Sequence, residues 1–155
     1  MDFCRPTAAH RAQLAYHRGM ARAPLEGIRI VAVEQFGAGP FGTLQLADLG
    51  ADVIRLEDPS TGGDVSRYDA PGQRGSDSLY FDSFNRGKRS LLLDLKKPAG
   101  QEVFHRLVRN AHAVFANVRG DVLKELGLTY EELGRINPAL ACVSLSAYGR
   151  AGGRS

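Results

Sequence analysis

Ile28-Arg-Ile-Val-Ala-Val-Glu34, followed by Gln35-Phe-Gly37-Ala-Gly39-Pro-Phe-Gly42 and Thr43-Leu-Gln-Leu-Ala-Asp-Leu-Gly50, is the stretch from which the fold can be read. The first part alternates and then runs apolar, as a buried strand does. The second is a glycine-rich turn. The third sets Leu44, Leu46, Ala47 and Leu49 on one apolar face at helical spacing; Pro40 suits a first turn, where its missing N–H is not needed, and Gly50 suits the stop. Asp52-Val-Ile-Arg-Leu-Glu57 then reads as a second strand. Strand, glycine turn, helix and strand together place free backbone N–H groups at a helix N-terminus, where they attract phosphate or another anion. The unit is expected to open a nucleotide-like binding domain.

Working outward, Asp58-Pro-Ser-Thr-Gly-Gly-Asp64 has the composition of a loop. Residues 65–87 read as irregular, with Tyr68, Tyr80, Phe81 and Phe84 interspersed, and so long a loop is more often functional than idle. Its aromatics either anchor it to the body or touch a ligand. A basic cluster, Asn85-Arg-Gly-Lys-Arg89, precedes the strand Ser90–Leu95. Lys96 and Lys97 follow at that strand's carboxyl end, where open α/β sheets bind ligands and a lysine can meet a phosphate. Pro98 begins a helix striped by Val103, Phe104, Leu107 and Val108, with His105 next to the stripe as a packed or half-exposed residue rather than a ligand. Ala113–Asn117 reads as a short strand. Thr129 and Glu132 form a capping box for a helix ending before Asn137-Pro138, and Ala139–Ser146 is the last strand. Strands alternating with helices at these lengths call for an α/β fold with a parallel sheet and flanking helices.

The totals set bounds. At 155 residues and 43% apolar, the chain is long enough for one domain with a core. No apolar run approaches bilayer length, so no membrane partner is expected. Cys4 and Cys142 show no metal-ligand spacing and fit a reducing, cytoplasmic setting, with no metal expected. The net charge of +3 is accounted for by residues 1–29, where five arginines face Asp2 and Glu26; the remainder balances at 15 basic and 15 acidic residues. That balance lacks the concentrated basic face of a nucleic-acid binder. Residues 1–23 read as a flexible or mis-assigned leader, Met20 being a natural start and a mitochondrial leader the alternative; residues 24–155 read as the domain.

Gly37-Ala-Gly39-Pro-Phe-Gly42 also satisfies G-x-G-x-x-G between strand and helix, the setting of a dinucleotide site. Glu57 or Asp58 ends the next strand, where an acid can hold a ribose hydroxyl, although it arrives some five residues early against the spacing of about 20.

The whole pattern points elsewhere. Pro24-Leu-Glu-Gly-Ile-Arg-Ile-Val31, Ala38-Gly-Pro-Phe-Gly42, Leu46-Ala-Asp-Leu-Gly-Ala-Asp-Val-Ile-Arg-Leu-Glu57, Gly62-Gly-Asp-Val-Ser-Arg67, Asn85-Arg-Gly-Lys-Arg-Ser-Leu-Leu-Leu-Asp-Leu-Lys96 and Asn137-Pro-x-Leu140 occur in that order. Over residues 24–153 the sequence resembles the N-terminal part of the large domain of the family III CoA-transferases (CaiB/BaiF type), the group of formyl-CoA transferase, carnitine CoA-transferase and the 2-methylacyl-CoA racemases. The resemblance implies a Rossmann-like domain that binds coenzyme A, and an interlocked homodimer. It also implies a reaction between an acyl-CoA donor and a carboxylic acid acceptor, in which an aspartate forms a mixed anhydride and splits one hard acyl transfer into easier steps.

Position by position, the resemblance puts Gly37 and Ala38 beside the thiol arm and nucleotide. Leu93, Asp94, Leu95 and Lys96 border the adenine, with Lys96 toward a phosphate, and Asn117, Val118 and Arg119 form the next strand-end loop. Asp58 and Glu125 stand where some relatives carry a basic residue, and Val118-Arg-Gly-Asp121 replaces the commoner Phe-x-Pro-Gly. The nucleophile's segment, Pro-Gly-Tyr-Asp, is approached by Ala147-Tyr-Gly-Arg-Ala-Gly-Gly153, so the nucleophilic aspartate is expected beyond Ser155 and the isolated chain is expected to be inactive. Asp48, Asp52, Asp64 and Asp94 read as caps, loop anchors or packing residues. A non-catalytic CoA-binding remnant, the racemase branch and an NAD-binding domain are the alternatives.

Overall fold

The computed structural model describes residues 22–68, 72–74, 77–147 and 149. In chain order these form β1 (Arg29–Val33), α1 (Ala38–Asp48), β2 (Asp52–Glu57), two 3-10 turns (Pro59–Thr61 and Val65–Arg67), β3 (Gln73–Arg74) and β4 (Asp77–Ser78). Then follow α2 (Leu79–Asn85), β5 (Arg89–Leu92), α3 (Pro98–Val108), β6 (Ala113–Ala116), α4 (Gly120–Glu125), α5 (Tyr130–Leu133) and β7 (Ala141–Ser144). β3 and β4 make a small antiparallel pair, and the other five strands form one sheet in the order β5-β2-β1-β6-β7. Every neighbour in it is parallel. This is the 3-2-1-4-5 order of a doubly wound sheet, with the direction of winding reversing between β1 and β6.

Side chains of a strand alternate between faces, and β1 is buried on both. Val31 and Val33, with Ile54, Leu56 and Val114, pack against Phe104 and Val108 of α3 and against Leu123 and Leu133 of α4 and α5. Ile30, Ala32 and Val53 face the other way, toward Leu46 and Ala47 of α1. Helices therefore cover both faces, which is why this strand reads as a nearly continuous apolar run.

Several local expectations need correction. α1 buries Gly39, Pro40, Thr43 and Leu44 rather than a full apolar stripe, and Leu49, its C-cap, is 44% exposed. Residues 65–87 are not simply irregular: Ser78 accepts the Phe81 N–H at 3.2 Å and starts α2. A seven-residue helix is too short for its periodicity to show in sequence. Its aromatics serve as anchors, with ring centroids 5.2 Å apart for Phe36 and Tyr80, 4.9 Å for Tyr80 and Phe84, and 6.2 Å for Phe41 and Phe84.

α4, six residues long, was also not foreseen. β5 stops at Leu92, and Leu93–Leu95 continue as loop. The capping box is absent in its usual form: Thr129 Oγ1 donates to Glu132 Oε2 at 3.4 Å. The Thr129 carbonyl instead takes the N–H groups of Glu132 and Leu133 at 3.2 and 3.0 Å, closing a single turn without a side-chain cap. Asn137 earns its motif elsewhere, donating from Nδ2 to the carbonyls of Val108 and Ala111 at 3.0 and 2.9 Å, at the C-terminus of α3. The leader up to residue 21, Tyr148 and residues 150–155 lie outside the described residues.

Candidate functional site

In a doubly wound sheet the crevice opens outside the carboxyl ends of the strands where the winding reverses, here β1 and β6. Two loop residues bridge that point. Asn117 Oδ1 accepts the Gln35 N–H at 2.9 Å, and Asn117 Nδ2 donates to the Gln35 carbonyl at 3.0 Å. The side-chain amide thus completes the backbone pairing of a residue that has left the sheet. Gly39 must approach closely to allow it: a Cβ there would lie 2.6 Å from Asn117 Cγ.

Two hollows flank this bridge. The first, of about 190 Å³, has an apolar floor from Leu56, Leu93, Leu95, Val118, Val122 and Leu126, with Asp58, Thr61 and Lys96 among its other lining residues. The second, of about 660 Å³, is lined by Ala38, Asn117, Val118, Arg119, Leu145 and Ser146, among others. Val118 belongs to both. Gln101 steadies the first floor by donating to the carbonyls of Leu95 and Leu126 at 2.6 and 3.0 Å. Of the residues singled out in sequence, Leu93, Asp94, Leu95 and Lys96 line the first hollow, Ala38, Asn117 and Arg119 the second, and Val118 the shared wall. Gly37 lines neither; it is the N-cap of α1. Val33, Gln35, Val122 and Leu126 were not foreseen, because nothing in a strand end or a one-turn helix marks it as a wall.

Charge is distributed unevenly. Lys96 is exposed and makes no ion pair among the described residues. Lys97 pairs with Asp94 at 3.3 Å and Arg119 with Asp121 at 2.8 Å. The basic cluster before β5 is spent internally, with Arg86 on Asp48 at 2.5 Å, Lys88 on Glu34 at 2.8 Å and Arg89 on Asp52 at 2.6 Å. The Ser60 hydroxyl holds the Asp58 carboxyl below its ordinary pKa.

Behind the first hollow lies a network of buried charge that the sequence reading missed. Lys88 Nζ donates to Glu34 Oε1 and the Pro40 carbonyl at 2.8 Å and to Asn85 Oδ1 at 3.1 Å, while Thr43 Oγ1 donates to the Glu34 carboxylate at 2.8 Å. Arg55, 1% exposed in the middle of β2, pairs with buried Asp64 and donates to the Glu34 carbonyl at 3.3 Å. Its guanidinium carbon lies 4.9 Å from the centre of the Phe81 ring, whose face Arg67 approaches at 3.7 Å. The two buried carboxylates, Glu34 and Asp64, face the two buried cations, Lys88 and Arg55, which is what makes such burial tolerable. Burial lowers the pKa of Lys88 and of Arg55 against the opposing pull of the nearby carboxylates. An arginine inside the apolar run Val53-Ile-Arg-Leu56 was the available signal.

Glu57 is part of this network, which corrects its reading as a ribose acid. Its carboxylate accepts from the Asp64 N–H at 2.8 Å, Arg67 Nε and Nη2 at 2.9 and 2.7 Å, and the Ser90 hydroxyl. Gly63, at φ 101°, passes so close that a Cβ would lie 2.7 Å from Glu57 Oε2. Burial by itself would raise the Glu57 pKa; the hydrogen bonds from Arg67 and Ser90, with the charges of Arg55 and Arg67, outweigh it and leave the group below its ordinary value. The unfolded chain therefore binds the extra proton first as pH falls. The stabilisation is complete above the unfolded carboxyl's pKa and is lost as pH drops through the folded one. Glu57→Gln is expected to flatten the acid limb of a plot of denaturation midpoint against pH; an unchanged limb would mean that this carboxylate is not held as described.

A family model described as CoA-transferase family III matches residues 25–155. The chain is 40% identical over 136 residues to succinate–glutarate CoA-transferase of Agrobacterium fabrum, covering 84% of this chain and 34% of that one. It is 40% identical over 131 residues to acetyl-CoA:oxalate CoA-transferase of Acetobacter aceti, covering 84% and 33%. It thus spans about a third of the length of these curated relatives. Among solved structures, a CaiB/BaiF family protein from Brucella suis superposes with a TM-score of 0.76 at 38% identity, covering 85% of this chain and 35% of the other.

Proposed function

The chain belongs to CoA-transferase family III, and we propose that its strand-end hollows hold coenzyme A for transfer between an acyl-CoA donor and a carboxylic acid. The observation that carries this reading is the shared wall at Val118, which joins a small apolar hollow to a larger, more open crevice. A flat adenine suits the first, against Leu93, Leu95 and Val118, with the phosphates drawn to Lys96 at its rim. The pantetheine arm then runs past Val118 into the second, beside Ala38 and the loop of Asn117 and Arg119. The reading has the crevice's position in its favour, at the winding reversal where α/β sheets take ligands.

Four of the aspartates are otherwise occupied: Asp48, Asp52, Asp64 and Asp94 each hold an ion pair. In this proposal none of them is the nucleophile, and residues 1–155 alone transfer no CoA. An interlocked homodimer belongs to the proposal through the family resemblance, a cytoplasmic setting through the cysteine usage, and a boundary between leader and domain near residue 24 through the composition of residues 1–23. A dinucleotide reading has lost one of its two candidate acids, because Glu57 is engaged in the buried network.

Calorimetric titration with CoA and with NAD separates the two. Saturable CoA binding without NAD binding is expected, and Lys96→Ala should weaken it about two- to fivefold, the value of an exposed ion pair. Binding of NAD in preference to CoA, or CoA affinity indifferent to Lys96, would overturn the proposal.

A further inference from the structure

The Gly62-Gly-Asp64 loop lines the first hollow, and its buried carboxylate also reaches the turn between β1 and α1. Phe36, in that turn, is the non-glycine residue with positive φ among those described, at 66°. A side chain there crowds its own backbone, and a bulky aromatic takes this conformation only when something holds it. What holds it is Asp64. The Phe36 N–H points between the two Asp64 oxygens, at 3.1 and 3.0 Å.

Asp64 is fixed in turn. It is 2% exposed, accepts the Ser66 N–H at 2.8 Å, pairs with Arg55 Nη2, and donates its own N–H to Glu57 at 2.8 Å. Its loop contributes Asp58, Thr61 and Gly63 to the first hollow, while Phe36 lies two residues before Ala38 of the second. One carboxylate therefore ties a wall of the first hollow to the turn that begins the second.

We propose that Asp64 is the positioning residue of the β1–α1 turn: it holds Phe36 in the left-handed conformation and so couples the loop lining the first hollow to the shape of the second. The coenzyme-affinity part of the test rests on the function proposed above; the backbone part does not.

The test begins with the unaltered, isotope-labelled chain by NMR. The Phe36 amide should be protected from exchange although the residue is 45% exposed, and its couplings should report a positive φ. Asp64→Asn keeps one acceptor oxygen but loses the charge; it should cut that protection and weaken CoA about tenfold. Phe36→Gly added to Asp64→Asn should restore most of the affinity, since glycine takes positive φ without help. A general loss of structure would not be cured by glycine 28 residues away.

An unprotected Phe36 amide in the unaltered chain overturns the proposal without any variant. So does Asp64→Asn that leaves Phe36 unchanged, or affinity that glycine fails to recover. A protected Phe36 that responds to Asp64→Asn in a chain that binds no CoA supports the positioning role and defeats the coenzyme reading instead.

Discussion

Replacing Arg55 by methionine is expected to cost about 3–5 kcal/mol of folding stability, the range for removing one partner of a buried ion pair. Methionine approximates the aliphatic part of the side chain, so the loss is mainly electrostatic. Asp64 would remain buried with its charge uncompensated, and the Glu34 carbonyl would lose a donor. The Phe81 ring would keep Arg67 at 3.7 Å, so the aromatic packing alone does not fall apart. Chemical denaturation followed by circular dichroism measures the effect. The combination Arg55→Met with Asp64→Asn should be less destabilised than the sum of the two single changes, because neutralising Asp64 removes the orphaned charge. A cost for Arg55→Met below about 1 kcal/mol would mean that the pair is solvated rather than buried.

Gly39→Ala is expected to destabilise by about 1–3 kcal/mol, as overpacking does, and to disturb the crevice more than its size suggests. The added methyl would sit 2.6 to 2.9 Å from three atoms of the Asn117 side chain, too near to be absorbed by a small shift. Asn117 would have to swing away and release both hydrogen bonds to Gln35. The diagnostic is a double-mutant cycle. In an Asn117→Gly background all three of those atoms are gone, so adding Gly39→Ala should cost little beyond Asn117→Gly itself. Strictly additive costs would show that the two residues do not meet as described.

The central unit was legible because its signals are local. β1 and β2 announce themselves by apolar runs, and Pro40 and Gly50 bracket α1, which spans Ala38–Asp48. The buried charges were not legible in the same way. Arg55 stands out inside the apolar run of β2, but the run does not name its partners; it is buried because β2 lies between β1 and β5 with α2 laid over it through Phe81. That arrangement depends on strand order, and α2 itself was hidden in a stretch too short to show a period. The site divides likewise. Leu93–Lys96 and Asn117–Arg119 were named from the family resemblance, and the sheet brings their strand ends together around Val118. Their support was out of reach: the Asn117 clamp on Gln35 pairs residues 82 positions apart, and α4 contributes Val122 from a six-residue helix.

The most direct measurement is a titration of the isotope-labelled chain with CoA, following every backbone amide. If the strand-end hollows hold the coenzyme, the perturbed amides will cluster at Gln35–Ala38, Leu93–Lys96 and Asn117–Arg119 and saturate with a single affinity. Saturating shifts confined elsewhere, such as the exposed apolar residues Phe41 and Leu79, or no shifts at all from a folded chain, would contradict the account.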